Sequence, residues 1–181
     1  MIRLFDFLFA LIGLIILSPI LILLLIIGLF ESGSPIFKQQ RLGYRQRTFS
    51  LIKFRTMQKH TISVATHLID KSMITPFGYF LRKSKLDETL QLFNVLIGDM
   101  SLVGPRPCLI NQKKLIRERK KRGIFKVKPG ITGLAQISGI NMKTPTLLAS
   151  TDIKMIKKMN LYYYFYYIFK TMLLVLKDFK K

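Results

Sequence analysis

The sequence predicts a mainly helical α+β protein: a membrane-embedded apolar head, then a small basic domain with one β-hairpin and interfacial amphipathic helices. Three observations carry that reading. Residues 7–30, "FLFALIGLIILSPILILLLIIGLF", run without a single charge. Residues 33–57 hold two β-prone runs on either side of Gly43. The remainder is largely helical in pattern, and 29 of the 30 Lys and Arg residues follow residue 31.

As a straight helix the apolar run reaches about 36 Å, enough for a hydrocarbon core of about 30 Å. It is too long for a cleaved signal and no small-residue cleavage site follows it, so it is expected to remain in lipid. Ser18-Pro19 falls near its middle, where proline removes an amide donor and kinks or breaks the helix. Two arrangements follow. One is a kinked spanning helix in which the Ser18 hydroxyl satisfies a freed backbone group. The other turns back at the break and keeps both ends on one face. In either, the excess of Lys and Arg after the anchor puts the body on the cytoplasmic side. Residues 1–31 are the anchor and 32–181 one functional unit.

A length of 181 residues and a 50% hydrophobic content suit one folded domain and exclude a disordered polar chain. A net charge of +21 implies a polyanionic partner: nucleic acid, anionic lipid or phosphorylated substrate. Cys108 stands alone, which excludes an internal disulfide and reads as a small buried hydrophobe. His60 and His67 lie in a polar stretch with no cysteine nearby, as surface or loop residues and not metal ligands.

In "GSPIFKQQRLGYRQRTFSLIKFRTM", Gly33 and Pro35 punctuate the exit from the membrane, and Phe49 and Leu51 alternate with polar neighbours. Residues 58–75 lack periodicity and read as a surface loop. "TPFGYFLRKS" leads into a helix, and residues 113–128 carry nine basic residues in sixteen, a face suited to lipid headgroups. The loop with Gly130, Gly133 and Gly139 fits no phosphate-binding glycine motif. The tail from Asp152 is helical, and its "YYYFYYIF" suits either a core or a membrane-interface helix.

The chemistry is concentrated in "RKSKLDETLQ", residues 82–91, where two of only nine acidic residues, Asp87 and Glu88, stand side by side behind Arg82, Lys83 and Lys85. One account is structural. Ser84 caps a helix with Asp87 in the capping box, and Leu86, Leu90, Phe93 and Ile97 form its apolar stripe. The other is chemical. Adjacent carboxylates among cations suit Mg²⁺ held together with a diphosphate. A carboxylate is also a nucleophile toward phosphorus, and neighbouring cations are expected to lower its pKa.

"RKSKLDETLQLFNVLIGDMSLVGPRP" and "KPGITGLAQISGIN", with the 33–57 segment, closely resemble the bacterial sugar transferase family, the monotopic phosphoglycosyl transferases. The resemblance runs from the Ser18-Pro19 head to about Asn141. It implies transfer of a sugar phosphate from a UDP-sugar to polyprenyl phosphate, with release of UMP, at the inner membrane. It implies Asp87 as nucleophile and Glu88 as its assistant, through Mg²⁺ or by positioning the lipid phosphate. It places phosphate or nucleotide contacts at Arg55, Arg82 and Arg106, and makes the Ser-Pro break a re-entrant one. The family commonly has Gly-Arg-Asn where this chain has Gly139-Ile140-Asn141, and the match fades beyond, so sugar identity does not carry over. Two other classes account for the charge: a non-catalytic basic scaffold on anionic membranes, and a nucleic-acid binder. The second has no use for an apolar head.

Overall fold

The computed structural model describes residues 1–59 and 71–179; His60 and His67 lie outside the described residues. Helix α1 (Ile2–Ser32) leads into strands β1 (Ile36–Leu42) and β2 (Thr48–Phe54). Then come α2 (Pro76–Ser84), α3 (Gln91–Ile97), β3 (Ser101–Val103), β4 (Cys108–Leu109) and α4 (Lys113–Lys121). Strand β5 (Gly130–Thr132), α5 (Leu134–Ile137), α6 (Pro145–Lys158) and α7 (Leu161–Phe179) complete the chain. The expected hairpin forms, with Ile36 opposite Phe54 and Leu42 opposite Thr48. The pleat puts Phe37, Gln39 and Arg41 on the same face as Phe49, Leu51 and Lys53. Strand β4 adds to the hairpin's β1 edge, and β3 pairs in parallel with β5. These three strands are two or three residues long, too short to leave an alternation in the sequence.

Helix α1 is long and apolar enough to cross a membrane. It continues through Ser18-Pro19 as one helix. The proline has no amide to offer Ile15, and the Ser18 hydroxyl donates to that carbonyl instead, at 2.8 Å. Its buried residues, Asp6, Ala10, Leu14, Leu21, Leu24 and Gly28, recur at helical spacing and form one stripe. Leu14, Leu21 and Leu24 pack with Phe54, Leu81 and Leu90. Polar bonds tie both ends to the domain. Arg3 donates to the carbonyls of Val95 and Leu96 at the end of α3. Asp6 Oδ1 accepts from Ser101 Oγ, Leu102 N and Tyr164 Oη at 2.8–2.9 Å. At the far end Glu31 accepts from Thr75 Oγ1 and Phe77 N, at 2.9 and 3.1 Å. The opposite face is a largely apolar surface, including Ile12, Ile16, Leu23 and Phe30. Such a surface is too large for a water-facing helix and suits lipid.

The segment after β2 departs from the expected capping box. Ser84 is the last residue of α2, and its hydroxyl donates back to Phe80 and Leu81 carbonyls. Lys85 then takes a left-handed backbone, φ 59°. Asp87 and Glu88 therefore sit in a separate 3-10 turn, Leu86–Glu88, and α3 begins only at Gln91. The apolar stripe is also redistributed. Leu90 is buried, but Phe93 and Ile97 are exposed, while α3 buries Gln91, Asn94 and Val95 against the hairpin. Asn94 explains that choice: its amide accepts from Ile52 N at 3.0 Å and donates to Ser50 O at 2.8 Å. It thereby satisfies backbone groups of β2 that no strand pairs.

Two close backbone approaches set the site's frame. A Cβ on Gly78 would lie 2.2 Å from Thr56 O, so α2 rests directly on the end of the hairpin. A Cβ on Gly130 would lie 2.0 Å from Gly104 N, which locks the "GPRP" loop, residues 104–107, onto β5. The Tyr-rich tail is core on one side only. Tyr164 and Tyr167 are buried, whereas Tyr162, Phe165 and Phe169 are exposed, with Phe165 edge-on to Phe5 and Phe9 of the anchor.

Candidate active site

A cavity of about 190 Å³ opens between the hairpin, the Leu86–Glu88 turn and the 104–107 loop. That is smaller than the ~300–1,000 Å³ of pockets that engulf whole ligands. It suits a phosphate-sized head with the rest of the ligand outside. Its lining holds five cations, Arg41, Lys53, Arg82, Lys85 and Arg106, against two acids, Asp87 and Glu88. Leu51 and Met142 are the apolar walls, and Gln91 completes it.

Each charged group is aimed by its own element. Lys53 and Leu51 share a face of β2 by the two-residue period. Arg41, on β1, is fixed by donating to Gln39 Oε1 and, at 3.0 Å, to Pro107 O. Arg82 projects from α2 and donates Nε to Thr56 Oγ1 at 2.8 Å. Arg106 forms an ion pair with Glu88 that engages both carboxylate oxygens, its second contact measuring 3.4 Å. Arg106 is itself held from behind: Arg119 donates Nη1 to its carbonyl at 2.7 Å.

The two carboxylates thus differ in kind. Burial opposes ionisation of Glu88, but the charge and hydrogen bonds of Arg106 outweigh it and hold the pKa below the ordinary value. Arg106 in turn is raised by Glu88. Asp87 is 8% exposed and makes no hydrogen bond or ion pair with the described residues. Burial first, and then the Glu88 charge, push its pKa up to about 6, against the opposing pull of Lys53, Arg82 and Arg106. The cations do not depress this carboxylate as the sequence led one to expect. Desolvation wins, and Arg106 is spent on Glu88. Lys53 is lowered by the same burial.

Of the sequence-derived candidates, Arg82, Asp87, Glu88 and Arg106 converge on the cavity. Arg55 does not line it. Its guanidinium donates to Ser34 O at 2.7 Å and to Ile36 O at 3.4 Å, and lies over the Phe37 ring, bracing the exit from the anchor. Ser18 and Pro19 lie in α1, outside the cavity lining. Lys53, Arg41, Gln91 and Met142 are lining residues that sequence reasoning passed over, and Lys85, noted there only as a neighbouring cation, joins them. For Lys53 a signal existed, its strand phase with Phe49 and Leu51. For Met142 there was none.

Among the described residues no cluster of three or more His, Cys, Asp or Glu is placed to hold a metal ion. The pair Asp87-Glu88 is nonetheless the donor set that Mg²⁺ accepts when phosphate oxygens and water supply the remaining positions. Asp87 is open to it, whereas Glu88 is shared with Arg106.

An adjacent pair of unlike carboxylates in a cationic cavity can bind a phosphate group and present a nucleophile to it. Residues 1–178 match the model of the bacterial sugar transferases. The chain belongs to the bacterial sugar transferase family. Among relatives of this sugar transferase is EpsL of Bacillus subtilis strain 168, an uncharacterised sugar transferase. It is 44% identical over 140 residues, 77% of this chain and 69% of that one. The UDP-glucose:undecaprenyl-phosphate glucose-1-phosphate transferase of Xanthomonas campestris pv. campestris is 42% identical, over 78% of this chain and 31% of its own length. The undecaprenyl-phosphate galactose phosphotransferase of Salmonella typhimurium is 36% identical, over 77% of this chain and 33% of its own. This sugar transferase therefore spans about a third of the two relatives whose substrates are named, and more than two thirds of EpsL.

Proposed function

We propose that this chain transfers a sugar 1-phosphate from a UDP-sugar to polyprenyl phosphate, releasing UMP, through a phosphosugar intermediate on Asp87. The observation that carries this is the pairing of a buried, unbonded Asp87 with a Glu88 fixed by Arg106 inside a cavity rich in cations. An Asp87 oxygen attacks the β-phosphorus of the donor. The bond from that phosphorus to the bridging oxygen breaks, and UMP leaves with the electron pair. A phosphate oxygen of the polyprenyl lipid then attacks the same phosphorus, and the acyl phosphate bond breaks to restore the carboxylate. Arg82 and Lys53 hold phosphoryl oxygens as charge builds up on the leaving group. Glu88, kept ionised by Arg106, orients the entering lipid phosphate by accepting a hydrogen bond from its hydroxyl. Asp87 and Glu88 are the residues that would hold Mg²⁺, which would supply charge neutralisation for the diphosphate.

The topology that supports this chemistry is a re-entrant anchor. Were α1 to cross the bilayer, Arg3 and Asp6 would carry their partners on α3, β3 and α7 to the opposite face. Short strands cannot pass through lipid with their backbone groups unpaired. Both ends on the cytoplasmic face satisfies the bonds at Arg3, Asp6 and Glu31 together. The basic surface then meets the anionic headgroups. An engineered cysteine at residue 2 is expected to resist an impermeant maleimide applied from outside and to react once the inner face is opened. Labelling from outside alone would exclude the re-entrant topology.

The reaction is tested by single turnover with labelled UDP-sugar and Mg²⁺ in the absence of lipid acceptor. One UMP per active protein should appear, with label retained on Asp87. UMP that appears only when polyprenyl phosphate is added would rule out the covalent route. Without acceptor the lipid phosphate cannot titrate, so the rate should rise with pH as Asp87 loses its proton, with Mg²⁺ at the pair drawing the midpoint below the value of about 6 that burial sets. Glu88→Gln removes a like charge from its neighbour and should move that midpoint lower.

A further inference from the structure

Four of the five cations in the cavity already have partners. Arg106 pairs with Glu88, Arg41 holds Gln39 and Pro107, Arg82 donates to Thr56, and Lys53 Nζ lies 5.4 Å from the Phe37 ring centroid. Lys85 differs. Its side chain is exposed at the cavity wall and makes no hydrogen bond or ion pair with the described residues. Its backbone, at φ 59° and ψ 11°, is left-handed; it ends α2 and begins the 3-10 turn. Such a position is ordinarily glycine's, because a Cβ there crowds the next carbonyl oxygen. The chain thus places a long cationic side chain at the point of this turn where any side chain is least favourable. The turn fixes it beside the acids: Glu88 N donates to Lys85 O at 3.3 Å.

We propose that Lys85 is a phosphate-binding residue of this site, its ammonium meeting a phosphoryl oxygen at the rim of the cavity. The proposal rests on the transfer reading for the identity of the substrate. The shared chemistry is a phosphate oxyanion, carried either by the donor diphosphate or by the lipid phosphate. An ammonium on a flexible stem suits the rim, since it follows a charged group without the fixed fork a guanidinium demands. Arg41, Arg82 and Arg106, each tied to protein acceptors, hold the interior.

Three variants of the full chain test it: Lys85→Gly, Lys85→Gln and Lys85→Arg, each titrated with inorganic pyrophosphate by calorimetry. Lys85→Gly removes the charge and relieves the backbone. It should leave the melting temperature unchanged or higher while weakening pyrophosphate about three- to tenfold, the loss of one exposed charge-assisted contact. Lys85→Gln should lose the same affinity without the backbone change, and Lys85→Arg should retain most of it. In turnover, a raised KM for UDP-sugar during acceptor-free UMP release assigns the contact to the donor. A raised KM for polyprenyl phosphate alone assigns it to the lipid. Wild-type pyrophosphate affinity in both Lys85→Gly and Lys85→Gln would overturn the proposal. Wild-type protein that binds pyrophosphate through Lys85 yet transfers no sugar phosphate would sink the transfer reading and leave this contact standing.

Discussion

Asp87→Asn is expected to end UMP release and, at the same time, to make the protein more stable at neutral pH. The carboxylate is 8% exposed, lacks a bonded partner among the described residues and stands beside Glu88. Its pKa of about 6 in the folded protein exceeds the 3.8 of an unperturbed aspartate. Folding therefore favours the protonated form. That contribution is fully present below the unfolded value and is lost as pH rises through about 6. At pH 7.5 the ionised group costs on the order of 3 kcal/mol. Asparagine, nearly the same shape and never charged, avoids the cost. Thermal unfolding should show the gain at pH 7.5 and little of it at pH 4, while single-turnover activity falls by at least about 10³-fold. Turnover close to wild type would remove Asp87 from the chemistry. A variant less stable than wild type at pH 7.5 would mean the ionised carboxylate is not disfavoured by its surroundings.

Breaking the Arg119–Asp152 pair should have the largest effect on stability. The two side chains are 2% and 0% exposed, linking α4 to α6. Arg119 gives Nε and Nη2 to Asp152 Oδ2 at 3.0 and 2.7 Å, and Nη1 to the Arg106 carbonyl. Burial raises the Asp152 pKa even with the guanidinium in place. Asp152→Ala leaves an uncompensated buried cation, at a cost of about 3–5 kcal/mol. The apparent melting temperature should drop by roughly 10 °C. The double variant Arg119→Met with Asp152→Leu fills the space without charges and should recover much of that stability. It should not recover activity, because the Arg106 carbonyl loses its anchor and Glu88 its fixed partner. Full activity in the double variant would show that Arg119 serves packing alone.

The two devices differ in how far the sequence announced them. Asp87 and Glu88 stood out because acids are scarce in this chain and here fall together behind cations. Arg82 and Arg106 came with the motifs around them. Arg119 and Asp152 gave no such notice: one is a single basic residue among nine in residues 113–128, the other the first residue of the tail. Nothing local marks Arg119 as the member of that run that turns inward; α6 supplies the reason, 33 residues away. The Ser84–Asp87 capping box was misread for a different cause. A capping box is a pattern of residue types, and the left-handed backbone at Lys85 moved Asp87 out of the helix to which the pattern assigned it.

By itself the sequence determined what periodicity and composition can encode: a charge-free head, a hairpin whose faces follow from alternation, a basic body and the acidic pair. These properties depend on neighbours a few residues apart. The tertiary structure alone decided that Asp87 is buried and hard to ionise while Glu88 is captured by Arg106. It also decided that Lys53 enters the cavity while Arg55 braces the anchor. Desolvation and Coulomb attraction act through space, and both depend on which distant segments close around a group.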